Sequence, residues 1–397
     1  MPDRNTLPAL HVGLTAFSSD LWMGGLNYIQ NTLRALALAR SDVKLTLYFV
    51  GPDHPLLQDP LIAGLKPQTL PLPGSQQRAS WDDIREEYER RAARGERPDV
   101  LHNFGVPLAE WLDVPAVCWI PDFQHRRRPE FFAAWEIEGR ERHLGRYARE
   151  SRQVVVSSAE ALHDFRDAWP DLAGKGRVVH FSSTLQPAET AGTGEAPRRY
   201  GLDLPYFHVV NQFWKHKNHA LTIRAAALLK ARGQRFRLVM TGPLYDYRHP
   251  TFFSELLQLV SELGLREECV MLGQVPRQEL FDLARGSLCV LQPSLVEGWN
   301  TALEECRVLR LPVLASDIPV HREQAGREGL DAAFFDATDP VDLANRMNDV
   351  LAGRLLGQAR PDRGQLDSGL VKRMAEQYAR ELVEVWREAA AKDGPGR

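Results

Sequence analysis

Short apolar runs recur along the whole chain, each followed after a loop by a stretch with helical spacing. This alternation is what most constrains the fold. Leu10 to Phe17, Lys44 to Val50, Val100 to Phe104, Ala116 to Ile120, Gln153 to Ser157 and Arg177 to Phe181 read as strands of a first half. Tyr206 to Val210 restarts the pattern, and Arg237 to Thr241, Cys269 to Leu272, Leu288 to Leu291, Val313 to Ala315 and Ala332 to Phe335 continue it. Helical patterns such as Asn218 to Arg232, Thr251 to Leu263 and Thr301 to Leu309 lie between them. Strands that alternate with helices pair in parallel, with helices covering both faces of the sheet. The expected class is α/β, with two doubly wound, Rossmann-like domains.

A chain of 397 residues exceeds one ordinary domain of about 100–200 residues. The break is expected at Gln186 to Arg199 (QPAETAGTGEAPRR), which is rich in Pro, Gly, Ala, Thr and Glu and has no periodicity. That divides the chain into a domain over 1–185, a linker over 186–199 and a domain over 200–369. Residues 370–397 hold an amphipathic helix expected to pack back onto the first domain. Two such halves predict a site in the cleft between them.

A hydrophobic content of 44% with 25% charged residues is that of a globular protein. The net charge of −3 argues against wholesale binding of nucleic acid. Cys118, Cys269, Cys289 and Cys306 have no paired spacing and read as buried free thiols of a reducing compartment. The N-terminus lacks a basic stretch followed by an apolar core, and no window of about 18 apolar residues occurs. The expectation is a cytoplasmic protein without a spanning segment.

The stretch richest in chemistry is Ser294 to Cys306, which leaves the apolar run Leu288 to Leu291 and enters a helical pattern. Glu297 falls in the loop and Glu305 in the first turns of the helix. Open α/β sheets bind ligands at the carboxyl ends of their strands. From Gly298 onward, free amides and the helix dipole can aim at the same place. Carboxylates for hydroxyls and amides for an anion suit a molecule that is both anion and polyol, and a nucleotide-sugar is both. Glu305 lies beside the apolar stripe of Ala302, Cys306 and Leu309, so it needs donors, either ribose hydroxyls or a structural ion pair. Glu304 is expected to face outward and to pair with Arg307.

Phe213 to Asn218 (FWKHKN) places Lys215 and Lys217 just before a helix, where the dipole disfavours cations. A diphosphate between them removes the conflict; a solvated loop is the alternative. Gly24-Gly25, after the first strand, permits a close backbone approach to a ligand or simply makes a turn. Gly242, ending one strand, and Val275, after the next, are expected either to point into the cleft, the latter lining a nucleobase pocket, or to belong to ordinary strand-end turns. Asp122 ends a strand of the first half and suits a sugar or acceptor. His125 to Arg128 is a cationic patch for a phosphate or carboxylate on an acceptor, for an anionic lipid surface, or merely for solvent. His102, His180 and His208 read as core or cleft-edge histidines. The chain has no Asp-x-Asp, no metal-ligand spacing, no Gly-x-Ser-x-Gly and no P-loop. No metal or other cofactor is expected.

Together these segments resemble the retaining, GT-B-fold glycosyltransferases of family 4, also described as glycosyl transferases group 1. The family's E-G-F-G-L-P-x-x-E-A signature is similar to Glu297-Gly298-Trp299-Asn300-Thr301-Ala302-Leu303-Glu304-Glu305-Cys306. Its G-R-x-x-x-x-K motif is similar to Asn211 through Lys217, and its A-S-D-I-P-x-H-x-E stretch matches Ala315 through Glu323. The resemblance is specific over the second half and loose over the first. It implies the GT-B fold, two Rossmann-like domains facing a central cleft, and transfer of a sugar from a nucleotide-diphosphate-sugar to a glycan, lipid-linked or small-molecule acceptor.

By that resemblance Lys217 stabilises the leaving diphosphate, with the amides near Asn300 and Thr301. Glu305 holds the donor ribose and Glu297 the transferred sugar, and Gly24 and Gly25 admit the donor. Asp122, His125 and Arg126 stand on the acceptor side. Two positions depart from the pattern. Gln212 replaces the family arginine, a loss that Lys215 is expected to offset, and Pro121-Asp122 replaces a His-Asp pair. The family often serves polysaccharide assembly, which adds the expectation of a place at the inner face of a membrane. A nucleotide-sugar epimerase of the same fold and a non-catalytic nucleotide-sugar binder are the alternatives.

Overall fold

A computed structural model describes residues 9–15, 23–48, 54–70, 81–103, 113–356 and 362–391. In the first half the strands are β1 (Leu10–Thr15), β2 (Val43–Tyr48), β3 (Gln68–Leu70), β4 (Val100–Asn103), β5 (Ala116–Ile120), β6 (Gln153–Val156) and β7 (Gly176–Val178). In the second they are β8 (Tyr206–Val210), β9 (Arg237–Thr241), β10 (Cys269–Gly273), β11 (Val290–Gln292), β12 (Val313–Ser316) and β13 (Ala332–Phe335). The first sheet runs β3-β2-β1-β4-β5-β6-β7 and the second β10-β9-β8-β11-β12-β13, with parallel pairing at each step. Only β3, a three-residue edge strand, had no counterpart among the apolar runs of the sequence.

Both sheets reverse strand order once, between β1 and β4 in the first and between β8 and β11 in the second. At such a switch the loops leaving adjacent strands diverge to opposite faces and open a crevice at the carboxyl ends. In the second sheet those loops are Asn211–Asn218 after β8 and Pro293–Asn300 after β11. In the first sheet the residues that follow β1 and β4, 16–22 and 104–112, lie outside the described residues.

Contacts divide the chain into two units. The first takes the described residues up to Asp122, Glu138–Thr184, and those from Lys372 on. Every residue of β1, β4 and β5 is buried, as strands covered on both faces must be. Tyr28 stacks on Trp119 with ring centres 3.8 Å apart. The terminal helix Ser368–Ala390 adds its apolar face, Tyr378 hydrogen-bonding Thr32 at 2.6 Å and Trp386 donating to His102 Nδ1 at 2.7 Å.

The second unit takes Phe123–Ile137 and Leu185–Val371. Its core joins Phe207 and Val209 of β8 and Leu238 and Met240 of β9 with Ile223, Ala226 and Leu229 of helix His219–Ala231. Leu343 and Met347 of helix Pro340–Leu351 complete that layer. The period of two along each strand puts these residues on one sheet face.

Two expected boundaries differ from the structure. Gln186 to Arg199 is not a bare linker. It folds into helices Pro187–Thr190 and Ala196–Arg199 against helix Arg277–Gly286, with the Gly194 amide donating to Asp282 at 2.8 Å and Tyr200 to Glu279 at 2.6 Å. A Cβ on Gly192 would collide with Asp282, so small residues that read as flexibility serve close packing here. Residues 123–137, which the sequence places in the first domain, cluster with the second unit instead. Among the described residues no helix is long and apolar enough to cross a membrane.

Candidate active site

The loop after β8 is held at both ends. The Asn211 amide donates to Thr241 O at 3.1 Å and the Phe213 amide to Pro243 O at 2.9 Å, while the buried Phe213 ring stacks on His219. Lys215–Lys217 form one 3-10 turn, and Asn218 then takes a left-handed φ of 58°. Its side-chain amide donates to Pro293 O at 3.1 Å and Ala337 O at 2.9 Å. Asn tolerates this conformation better than most residues because its side chain can bond to nearby backbone. The Leu295 amide donates to His216 O at 2.8 Å, which ties the loop after β8 to the loop after β11.

That tie brings Lys217 and Glu297 together. The Lys217 ammonium donates to Glu297 Oε1, with side chains 18% and 6% exposed. Beside them stands Asn300, the N-cap of helix Thr301–Val308, whose Oδ1 accepts from the Leu303 amide at 3.2 Å. Its Nδ2 lies 3.0 Å from Gln292 Oε1, 3.1 Å from His321 Nε2 and 3.4 Å from Glu297 Oε1. Gln324 clamps the same residue through its backbone, accepting from Asn300 N at 3.1 Å and donating to Asn300 O at 2.9 Å. Each polar atom of Asn300 therefore has a partner, and the helix start cannot shift without breaking several bonds.

The bonds also fix the tautomer of His321. Its Nε2 faces the Asn300 amide donor and must accept. Nδ1 therefore carries the hydrogen and donates to Ser316 O at 3.0 Å, while Ser316 Oγ donates to Ser294 O at 2.6 Å. Burial lowers the His321 pKa to about 4, against the pull of Glu297, so the ring is neutral at pH 7. A group whose folded pKa is depressed from 6.5 binds its proton in the unfolded chain first. Its contribution to stability is complete above pH 6.5 and is lost as the pH falls toward about 4. His102, His208 and His219, each lowered by burial to about 3, act in the same direction. Denaturant unfolding at pH 7 and pH 5 should show the lower stability at pH 5.

Thr301 opens the helix and is half-buried. Glu305, one turn along, has its carboxylate 2.7 Å from Arg277, whose pKa rises chiefly through that carboxylate. Glu304, expected on the surface, is fully buried with Arg307, because Gln324 and the carbonyls of Gln324, Arg327 and Glu328 complete its pocket. The helix turns that face inward. Gly242 has φ of 143°, and a Cβ there would run into Asn211 O, so two strand ends can cross only with glycine. Val275 is half-buried in the loop after β10. Gly24 and Gly25 fall within the first turn of helix Met23–Leu38 rather than before it, one exposed and one buried. Asp122 follows β5, 3.5 Å from Arg140. His125 is buried near Phe123 and Phe132, and Arg126 is exposed.

Lys215 donates its backbone N–H to the buried Asp246 at 3.1 Å, and its side chain forms no salt bridge among the described residues. One charge-assisted bond to a phosphate is worth about 1.5–3 kcal/mol, so Lys215→Ala should weaken a phosphate-bearing donor about ten- to a hundredfold with the fold intact. Calorimetric titration checks this, and unchanged affinity would remove Lys215 from the phosphate site.

Sequence reasoning missed the supports. Gln292 closes an apolar strand, which is the signal of a buried polar network, whereas Gln324 lies within helix Pro319–Ala325 and carries no such signal. Arg248 was missed as well. Its guanidinium lies 4.3 Å from the Phe132 ring centre, 4.8 Å from Tyr247 and 5.1 Å from Trp214, and 2.9 Å from Glu136. It binds residues 131–136 to the loop that carries Lys215 and Lys217.

Residues 196–365 match the family model described as glycosyl transferases group 1. EpsF of Bacillus subtilis (strain 168), a putative glycosyltransferase, is 31% identical over 189 residues, 44% of this chain and 47% of that protein. WbdA of Escherichia coli, a serotype-specific mannosyltransferase, is 26% identical over 251 residues, 59% of this chain and 29% of that one. The chain thus spans less than half the length of these curated relatives.

Among solved structures, a glycosyltransferase from Rickettsia africae ESF-5 superposes with a TM-score of 0.66 at 13% identity, covering 98% of this chain and 100% of that one. Anabaena HepE, in complex with UDP and glucose, gives a TM-score of 0.67 at 14% identity, covering 96% and 100%. At such identity the likeness is one of fold, the GT-B fold of glycosyltransferases. Over residues 196–365, which carry the loops of the second switch point, the chain is similar to the glycosyl transferases group 1 family.

Proposed function

We propose that the chain transfers a sugar, with retention, from a nucleotide-diphosphate-sugar to an acceptor hydroxyl in the assembly of a glycan or polysaccharide. The observation that carries this reading is the meeting of Lys217 and Glu297 across the switch point, at the N-terminus of helix Thr301–Val308. It joins a cation and helix amides, which suit a diphosphate, to a buried carboxylate, which suits sugar hydroxyls. Relatives described as mannosyltransferases and glycosyltransferases, and HepE in complex with UDP-glucose, support it.

In the reaction, the bond from the anomeric carbon to the diphosphate oxygen breaks as a bond to the acceptor oxygen forms on the same sugar face. The acceptor proton passes to the departing diphosphate. Lys217 and the Thr301 amide at the helix start stabilise the charge that builds there, which is electrostatic catalysis by groups already in place, whereas the Asn300 amide, expected to help, is already held by Gln324. Glu297 orients the transferred sugar and Glu305 the ribose, exchanging its bond to Arg277. Val275 and Gly242 border the nucleotide, and Gly24 and Gly25 admit the donor. Asp122, His125 and Arg126 serve the acceptor, a glycan or lipid-linked saccharide at the inner face of a membrane. The test is release of nucleoside diphosphate from UDP-, GDP- and ADP-sugars in the presence of saccharide and lipid-linked acceptors. No release from any pairing would overturn the reading.

A further inference from the structure

The contact between Lys217 and Glu297 is also a competition. A diphosphate bound at the helix start needs the same ammonium that Glu297 now holds. The ammonium has three hydrogens, so the competition is for its charge and position; as it moves toward phosphate, Glu297 keeps, among the described residues, one other side-chain donor within reach, Asn300 Nδ2 at 3.4 Å. That amide has two hydrogens, and its shorter contacts, to Gln292 at 3.0 Å and His321 at 3.1 Å, already account for both. The Glu297 side chain is 6% exposed, so water restores little. A buried carboxylate short of donors, facing a second anion, is costly. A nucleotide-sugar removes the cost with the hydroxyls of its sugar. A bare nucleoside diphosphate brings none to Glu297, because its ribose hydroxyls go to Glu305.

We propose that Glu297 is the residue by which this site discriminates a sugar-bearing nucleotide from the nucleoside diphosphate it leaves behind. The inference rests on the nucleotide-sugar reading above and goes beyond it. The carboxylate does more than hold the sugar: it penalises the product. A site built to bond a hydroxyl rejects the analogue that lacks it, because a buried group is then left without its partner. After transfer, Lys217 can return to Glu297, and that return helps the diphosphate leave.

The test compares dissociation constants of UDP with UDP-glucose, GDP with GDP-mannose and ADP with ADP-glucose, by calorimetry, on the wild-type chain and on Glu297→Gln and Lys217→Ala. The wild type should bind the sugar-bearing member of its preferred pair more tightly. Glu297→Gln should tighten the bare diphosphate about tenfold or more, since the uncharged amide no longer competes for Lys217, and should narrow the gap within the pair. Lys217→Ala should weaken both members. Melting curves establish that the variants are folded, and Glu297→Ala replaces the glutamine variant if that one is not.

If the wild type binds a pair through Lys217 but neither Glu297 variant tightens the bare diphosphate, the discrimination by Glu297 is wrong while the nucleotide-sugar site stands. If no nucleotide binds the wild type, both fall.

Discussion

Replacing Lys217 by alanine should lower turnover about 10²–10³-fold, the usual cost of removing one fixed donor from developing negative charge. The lysine follows β8, stands in the crevice of the second sheet and is 18% exposed, so its charge acts with little screening by solvent. Nearby, the amides at the start of helix Thr301–Val308 supply a partial charge of fixed direction, which alone does not replace a full cation. Lys217→Arg should retain part of the activity, because the charge remains but the ammonium geometry does not. The variant also leaves Glu297 with less to bind, so some loss of stability is expected. The double change Lys217→Ala with Glu297→Gln separates the effects: it should recover stability without recovering turnover. Steady-state kinetics of diphosphate release, beside thermal melts of each variant, provide the measurement. Turnover of Lys217→Ala within a few-fold of wild type would remove the lysine from the chemistry.

The sheets were legible because their signal is local. An apolar run such as Ala116 to Ile120 has the same limits in sequence and structure, since a strand covered by helices on both faces admits few polar residues. The switch point of the second sheet was nearly as legible, because Lys217 and Glu297 each follow a strand that can be read. What the sequence hid was contact between distant segments. Arg248 meets Phe132 and Glu136, more than a hundred positions earlier, and no periodicity announces such a meeting. Residues 186–199 looked like a linker because small residues signal both flexibility and close packing, and only the presence of Asp282 beside Gly192 decides between them. The glutamates of the signature show the same limit. An apolar stripe tells which face is buried, but not that Gln324 and three carbonyls wait beneath Glu304 and Arg307.

Those adjacent glutamates should therefore behave oppositely on mutation. Glu304 and Arg307 are both fully buried, with their side chains 3.2 Å apart. Removing one partner of such a pair leaves a buried charge without compensation, which costs about 3–5 kcal/mol. Glu304→Ala should lose that much in denaturant unfolding, and replacing both members with apolar residues of similar volume should restore the stability, since that removes the charge as well as its partner. Glu305 is different. Its partner Arg277 is 43% exposed, and an ion pair open to water on one side contributes about 1 kcal/mol or less. Glu305→Ala should leave the unfolding midpoint nearly unchanged while weakening the nucleotide-sugar, because the ribose loses its acceptor. A destabilised Glu305→Ala with unaltered nucleotide affinity would reverse the assignment and make Glu305 the structural residue of the two.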